Sequence, residues 1–262
     1  MLFRNLNLGR FLWTVLALLL LPGMAFADGR YFVETYTPYL SPAGELELES
    51  WVTSRSVENA TAWDLRQEVE YGVSSRLTAA AYLNLSQPAG GSLQLEAPSL
   101  ELIYALSKPG RIPGDPALYL ETSASGDETE LEPKLLLAHR TGRLMSALNL
   151  VGEFEFRHND EELLQNGDVL QRQWAWKVAG GTAYEIASKF SAGAEFRYES
   201  EYANFGPRSG NALSLGPVLN AEAGKAHISV GMLRRLHGET AHGGDPDDLE
   251  RTQLRAIVGF EL

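Results

Sequence analysis

Glu45-Leu46-Glu47-Leu48-Glu49 places a carboxylate at every odd position with leucine between. Successive side chains of a strand point to opposite faces, so this stretch, when extended, has one apolar and one acidic face. The same alternation restarts repeatedly towards the C terminus. Trp63, Leu65, Val69 and Tyr71 oppose Asp64, Arg66, Glu68 and Glu70. Leu144, Leu148, Leu150, Phe154 and Phe156 face away from Asn149, Glu153, Glu155 and Arg157, and Phe196 and Tyr198 alternate with Glu195, Arg197 and Glu199. Repeated around a closed sheet, such strands give a barrel with lipid outside and polar groups inside.

Alternation predicts strands at about 45–53, 62–71, 76–86, 93–106, 117–125, 131–140, 144–157, 171–184, 190–202, 211–223, 225–236 and 249–262. The fourth changes phase near Pro98, which implies a bulge or bend. Twelve is an even count, which returns both ends of the barrel to one side of the membrane, as in bacterial outer-membrane barrels. The fold expected is all-β, a single antiparallel transmembrane barrel. A secreted sandwich would have to pack the same apolar faces on each other, and the barrel is the preferred reading.

The connections sort by side. Turns at 72–75, 141–143, 185–188 and Gly224 are tight, whereas 57–61, 87–92, 126–130, 158–169, 203–210 and 237–248 form the other set. Short periplasmic turns and longer external loops fit a barrel, with Lys108 to Pro116 the one long connection on the periplasmic side. The last strand ends Val258-Gly259-Phe260-Glu261-Leu262, so the aromatic that the barrel-assembly machinery commonly reads lies two residues before the end.

Ahead of the barrel, Arg4 and Arg10 precede an apolar run from Phe11 to Leu21, and Ala25-Phe26-Ala27 supplies small residues for cleavage. This is a signal peptide over 1–27, too short in its core to span a bilayer as a helix. Residues 28–44 are then a periplasmic N-terminal segment and 45–262 the outer-membrane barrel. The segment carries Tyr31, Phe32, Tyr36 and Tyr39 and either plugs the lumen or lies along the rim. Because termini are usually loosely held, the rim is favoured.

The chain has 22 Lys+Arg against 34 Asp+Glu and no cysteine. Cleavage after residue 27 removes two arginines and no acid, which takes the formal net charge from −12 to −14. That balance argues against nucleic acid as a partner, since the phosphate backbone demands a basic face. The absence of cysteine excludes disulfides and a lipoprotein anchor. The partners implied are outer-membrane lipid, the assembly machinery and a small solute. No cofactor is implied.

Twelve strands enclose a narrow lumen, between side-chain-filled barrels and wide porins. Closure sets the last strand, with inward Arg251 and Arg255, beside the first, with Glu45, Glu47 and Glu49. A salt-bridge ladder across that seam is expected, extended around the wall by Glu153, Glu155 and Arg157 and by Glu195, Arg197 and Glu199, with Arg66 a further lumen residue. These charges either form an acidic constriction favouring cations and polar neutral solutes or simply rigidify a wet interior, and the second reading is favoured.

Catalytic signals are sparse. His139 and Ser146 flank one turn, yet Ser146 shares the apolar face with Leu144 and Leu148. His237 and His242 with Asp245, Asp247 and Asp248 could bind a divalent cation weakly, although a solvated loop is the default. No catalytic, cofactor or metal residue is assigned.

Ser41-Pro42-Ala43-Gly44-Glu45-Leu46-Glu47-Leu48 and Glu70-Tyr71-Gly72-Val73-Ser74-Ser75-Arg76-Leu77 resemble motifs of a group of uncharacterised outer-membrane barrels. Members are labelled putative transporters or related to the meta-pathway of phenol degradation. The resemblance is most specific over Arg30 to Leu85, with Ser74-Ser75 in place of the group's Thr-Asp. It implies a transport-type barrel. The function expected is therefore a narrow channel or passive transporter for a small solute. The alternatives are a lumen-closed structural or partner-docking barrel and an outer-membrane lipid hydrolase.

Overall fold

In the computed structural model, residues 30–57, 60–125, 128–157, 172–203, 206–240 and 250–262 are described. The signal peptide and most of the external connections, including His158, His242, Asp245, Asp247 and Asp248, lie outside the described residues. The strands are β1 (Leu46–Val57), β2 (Ala60–Ser74), β3 (Leu77–Gln87), β4 (Gln94–Leu95), β5 (Ser99–Ala105), β6 (Ala117–Ala124) and β7 (Glu128–Thr141). They continue with β8 (Leu144–Arg157), β9 (Arg172–Ala187), β10 (Phe190–Ala203), β11 (Arg208–Ala223), β12 (Ala226–Thr240) and β13 (Thr252–Glu261).

Each strand pairs antiparallel with its sequence neighbour, and β13 pairs with β1, so the sheet closes on itself. The pieces β4 and β5 both pair with β3 and occupy one place in the wall, giving twelve wall strands. Pro98 lies in the break between them, where a residue without an N–H cannot continue the ladder.

The alternation sorts inside from outside along every wall strand. Leu83, Leu100, Leu118, Leu150, Leu219 and Leu254 are 44 to 62% exposed, whereas their neighbours Tyr82, Glu101, Tyr119, Asn149, Val218 and Gln253 are 1 to 2% exposed. A belt of large apolar side chains turned outwards is stable only against lipid, and closure leaves no strand edge unpaired within it. Aromatics gather on this outer face near the external end: Trp174 stacks on Tyr202 at 4.2 Å, and Trp176 lies 5.1 Å from Tyr198.

Several strands outrun their apolar alternation. The first runs to Val57 and β2 starts at Ala60, so a connection expected to be long is a tight one. Likewise β12 continues through Arg234, His237 and Glu239 to Thr240. The ladder persists beyond the bilayer because neighbouring strands still satisfy its hydrogen bonds, while alternation records lipid contact alone.

Candidate functional site

Residues 30–41 lie inside the barrel, contrary to the expected position along the rim, and only 42–44 are exposed at its periplasmic end. Phe32, Val33, Thr35 and Tyr36 are buried, and Phe32, Val33 and Tyr36 join Trp51, Ile103, Tyr119, Leu136, Met145 and Ile257 in an apolar layer across the lumen. Burial of side chains such as Phe32 and Val33 contributes about 1.5 to 3 kcal/mol each, enough to outweigh the looseness of a terminus.

This irregular segment has no ladder, so wall side chains must satisfy its backbone. The Glu195 carboxylate on β10 accepts three consecutive N–H groups, from Val33 at 2.9 Å, Glu34 at 3.1 Å and Thr35 at 2.9 Å. Asn149 on β8 accepts from Tyr36 N at 2.7 Å and donates to Tyr36 O at 2.9 Å. Arg255 donates to Val33 O at 2.9 Å, and Asn220 and Ser229 both donate to Arg30 O. The wall makes room with glycine: a Cβ on Gly181 would lie 2.7 Å from the Phe32 ring, and one on Gly231 would overlap a Val33 methyl.

Charged side chains complete the latch. Glu34 lies 3.3 Å from Arg197 and 3.1 Å from Arg255, and Gln253 donates to it at 3.1 Å. Burial alone would raise the Glu34 carboxyl, but these guanidiniums and the amide hold it well below the usual carboxylate range. Arg30 contacts both Glu49 oxygens at 2.9 Å and lies 4.5 Å from the rings of Tyr36 and Trp51. Burial pushes the Tyr36 hydroxyl up to about 12, even with Lys134 and Arg30 nearby.

The plug divides the lumen unequally. On the external side lies a cavity of about 840 Å³, whose lining includes Glu34 and Tyr36 of the segment. Eleven carboxylates and six cationic side chains line it, and ion pairs hold several of them to the wall. Lys134 lies 2.7 Å from Glu132, Lys177 pairs with Glu153, and Arg66 reaches Glu121 at 3.3 Å. On the periplasmic side a cavity of about 50 Å³ lies between the segment and Glu47, Glu49, Glu70 and His227.

The expected seam ladder does not form. The first and last strands are neighbours, but the register sets Arg255 opposite Thr53 and Glu49 opposite Gly259. Glu47 and Glu49 instead flank His227 of β12, each 3.2 Å from a ring nitrogen. Arg255 serves the plug and Thr53, while Arg251 is exposed at the outer end, its backbone N–H bonded to Ser56 O at 2.7 Å. Glu45 is exposed at the periplasmic rim before β1. Glu155 lies partly exposed on β8, opposite Glu130 and Gln173. Strand phase names the inward residues, but axial offset between first and last strands depends on how the barrel closes.

His139 and Ser146 are direct cross-strand neighbours, and Ser146 Oγ is 3.2 Å from Thr182 Oγ1 on the outward side. His237 Nε2 is 3.5 Å from Glu239. The latching roles of Arg30 and Glu34 in the plug and of Asn149, Gly181 and Gly231 in the wall escaped sequence reasoning. Two signals hinted at them: Asn149 is a lone amide on an inward face, and Gly181 and Gly231 interrupt otherwise filled strands.

Solved structures share this fold at low identity. The NanC porin is 17% identical, with a TM-score of 0.58 over 82% of this chain and 100% of that one. The COG4313 outer membrane channel from Pseudomonas putida F1 is 10% identical, with a TM-score of 0.60 over 91% and 100%. The KdgM porin in complex with disordered oligogalacturonate is 10% identical, with a TM-score of 0.51 over 82% and 98%. The closed wall and outward apolar belt therefore belong to a bacterial outer-membrane β-barrel. No curated protein matches the chain. A family model matches residues 117–262, outside the Arg30 to Leu85 region on which the meta-pathway resemblance rests, and that resemblance stays without support. By that match over more than half of its length, the chain belongs to a family of unknown function, DUF6662.

Proposed function

We propose that the protein is an outer-membrane channel for a small polar solute, closed at rest by its own N-terminal segment. The observation that carries this reading is the wet cavity of about 840 Å³ whose inner end is made by residues 34 and 36 of a segment continuous with the wall only through Gly44 and Glu45. A structural barrel has no need of a charged vestibule; a gated one needs both a vestibule and a removable floor. The excess of carboxylates over cations favours a cation or a neutral polar solute. It disfavours a polyanion such as the oligogalacturonate bound by the KdgM porin.

The apolar layer across the lumen favours the second reading, a permanently closed barrel with a docking role. Planar-bilayer recording separates the two. The chain lacking residues 30–44 should show resolved conductance steps where the chain retaining them is mostly silent. A folded deletion variant that stays silent overturns the channel reading.

A further inference from the structure

We propose that Glu68, Glu70 and Glu101 form a binding site for one divalent cation, of the hard, oxygen-seeking kind typified by calcium, in the periplasmic half of the lumen. The three residues come from two strands separated by β3. Glu70 and Glu101 are both cross-strand neighbours of Ala80, and Glu68 is the neighbour of Tyr82. The small Ala80 side chain leaves space between the two flanking carboxylates. One oxygen from each of the three lies within 4.8 Å of the others. An ion about 2.3 to 2.6 Å from each ligand, the ordinary calcium–oxygen distance, can reach all three.

Proximity of acids is common without an ion; the state of Glu101 is not. It is 1% exposed, and no donor among the described residues reaches either of its carboxylate oxygens. Glu68 is also 1% exposed with both oxygens lacking a hydrogen bond, its nearest cation being Arg30 Nη2 at 3.8 Å. Arg30 is already committed to Glu49 through both oxygens. Glu70 accepts a hydrogen bond from Ser41. Two carboxylates withdrawn from water, Glu68 and Glu101, thus lie beside the half-buried Glu70 with one guanidinium at 3.8 Å, and a buried charge without a close partner is strongly unfavourable.

The two comparable clusters differ in this respect. Glu47, Glu49 and His227 have Arg30 in contact, and Glu130, Glu132 and Glu153 have Lys134 and Lys177. Among the described residues, the nearest cation to Glu68, Glu70 and Glu101 is Arg30 at 3.8 Å, whereas the other two clusters have a cation in hydrogen-bond contact. All-oxygen, all-carboxylate ligation selects calcium, magnesium or manganese over zinc or copper. The site does not depend on whether the barrel conducts.

The test is calcium uptake by the purified, chelator-stripped protein in detergent, measured by equilibrium dialysis with radioactive calcium and by the shift in thermal unfolding. The wild type should bind one ion saturably, with half-saturation at or below about 1 mM, and unfold at a higher temperature when loaded. Glu101→Gln, which preserves shape, should weaken uptake at least about tenfold, and Glu68→Gln should do the same on its own. Glu130→Gln in the vestibule should leave uptake unchanged. Absence of saturable uptake by the wild type overturns the site. So does uptake that survives both Glu101→Gln and Glu68→Gln, or that is lost only with Glu130→Gln.

Discussion

The two halves of the lumen handle the same problem, charge inside a closed wall, in opposite ways. The external half is wide, wet and rich in direct ion pairs such as Lys134–Glu132 and Lys177–Glu153. The periplasmic half is filled by residues 30–41, carries an apolar layer, and holds Glu68 and Glu101 with no hydrogen-bond donor among the described residues. The first set borders an open cavity and meets its charge by direct pairing, although Lys134 itself is buried. In the second, the irregular segment's backbone depends on specific wall side chains such as Glu195 and Asn149, so single substitutions there should have large effects.

The sharpest way to break the contrast is at Glu195. Glu195→Ala leaves three buried N–H groups without an acceptor and should weaken plug docking by roughly 3 to 5 kcal/mol. Hydrogen exchange at residues 33–35 should accelerate to the level of an undocked segment; unchanged protection would mean that apolar packing alone seats the plug. Next in size, Gly181→Val and Gly231→Val drive side chains into Phe32 and Val33 and should cost about 1 to 3 kcal/mol of docking, seen as faster protease cleavage within residues 30–44. A variant with unaltered cleavage would show that the segment can shift without leaving.

Acid supplies a smaller, graded perturbation. The docked Glu34 carboxyl is depressed relative to the undocked one, so its contribution is fully present above the ordinary carboxylate value of about 4.3. It is lost progressively as pH falls below that value towards the depressed one. Protection at residues 33–35, taken relative to intrinsic exchange rates, should therefore hold from neutral pH down to roughly pH 4 and fall below it, and Glu34→Gln should flatten that dependence. Smallest of all, Arg251→Ala at the exposed outer end should change stability by no more than about 0.5 kcal/mol in chemical denaturation. A larger loss would restore the seam role that the register denies it.

Much of this was readable from residues alone, but unevenly. Val69, Leu144 and Leu150 announced the lipid face because lipid contact imposes a strict period of two. The same alternation placed Glu47, Glu49, Glu195, Arg197 and Arg255 inside. It said nothing about partners, because strand phase specifies a direction and not a depth. Glu195 therefore read as one more wall charge and proved to be the acceptor for three plug amides. Arg255 read as a seam partner of the glutamates and instead lies opposite Thr53 and reaches Val33 and Glu34. Segment 30–44 has no periodicity at all, so its aromatics could not reveal whether they meet lipid, rim or lumen.

Local pattern by itself determined the all-β wall, its number of strands, the face each side chain takes and the acidic character of the interior. Those properties follow from a side-chain period and a solvent preference that act residue by residue. Only the tertiary structure decided that the N terminus folds into the lumen, that Gly181 and Gly231 make space for it, and that Glu68, Glu70 and Glu101 converge. Each of these depends on the stagger with which twelve strands close into one circle, a global condition that no stretch of sequence contains.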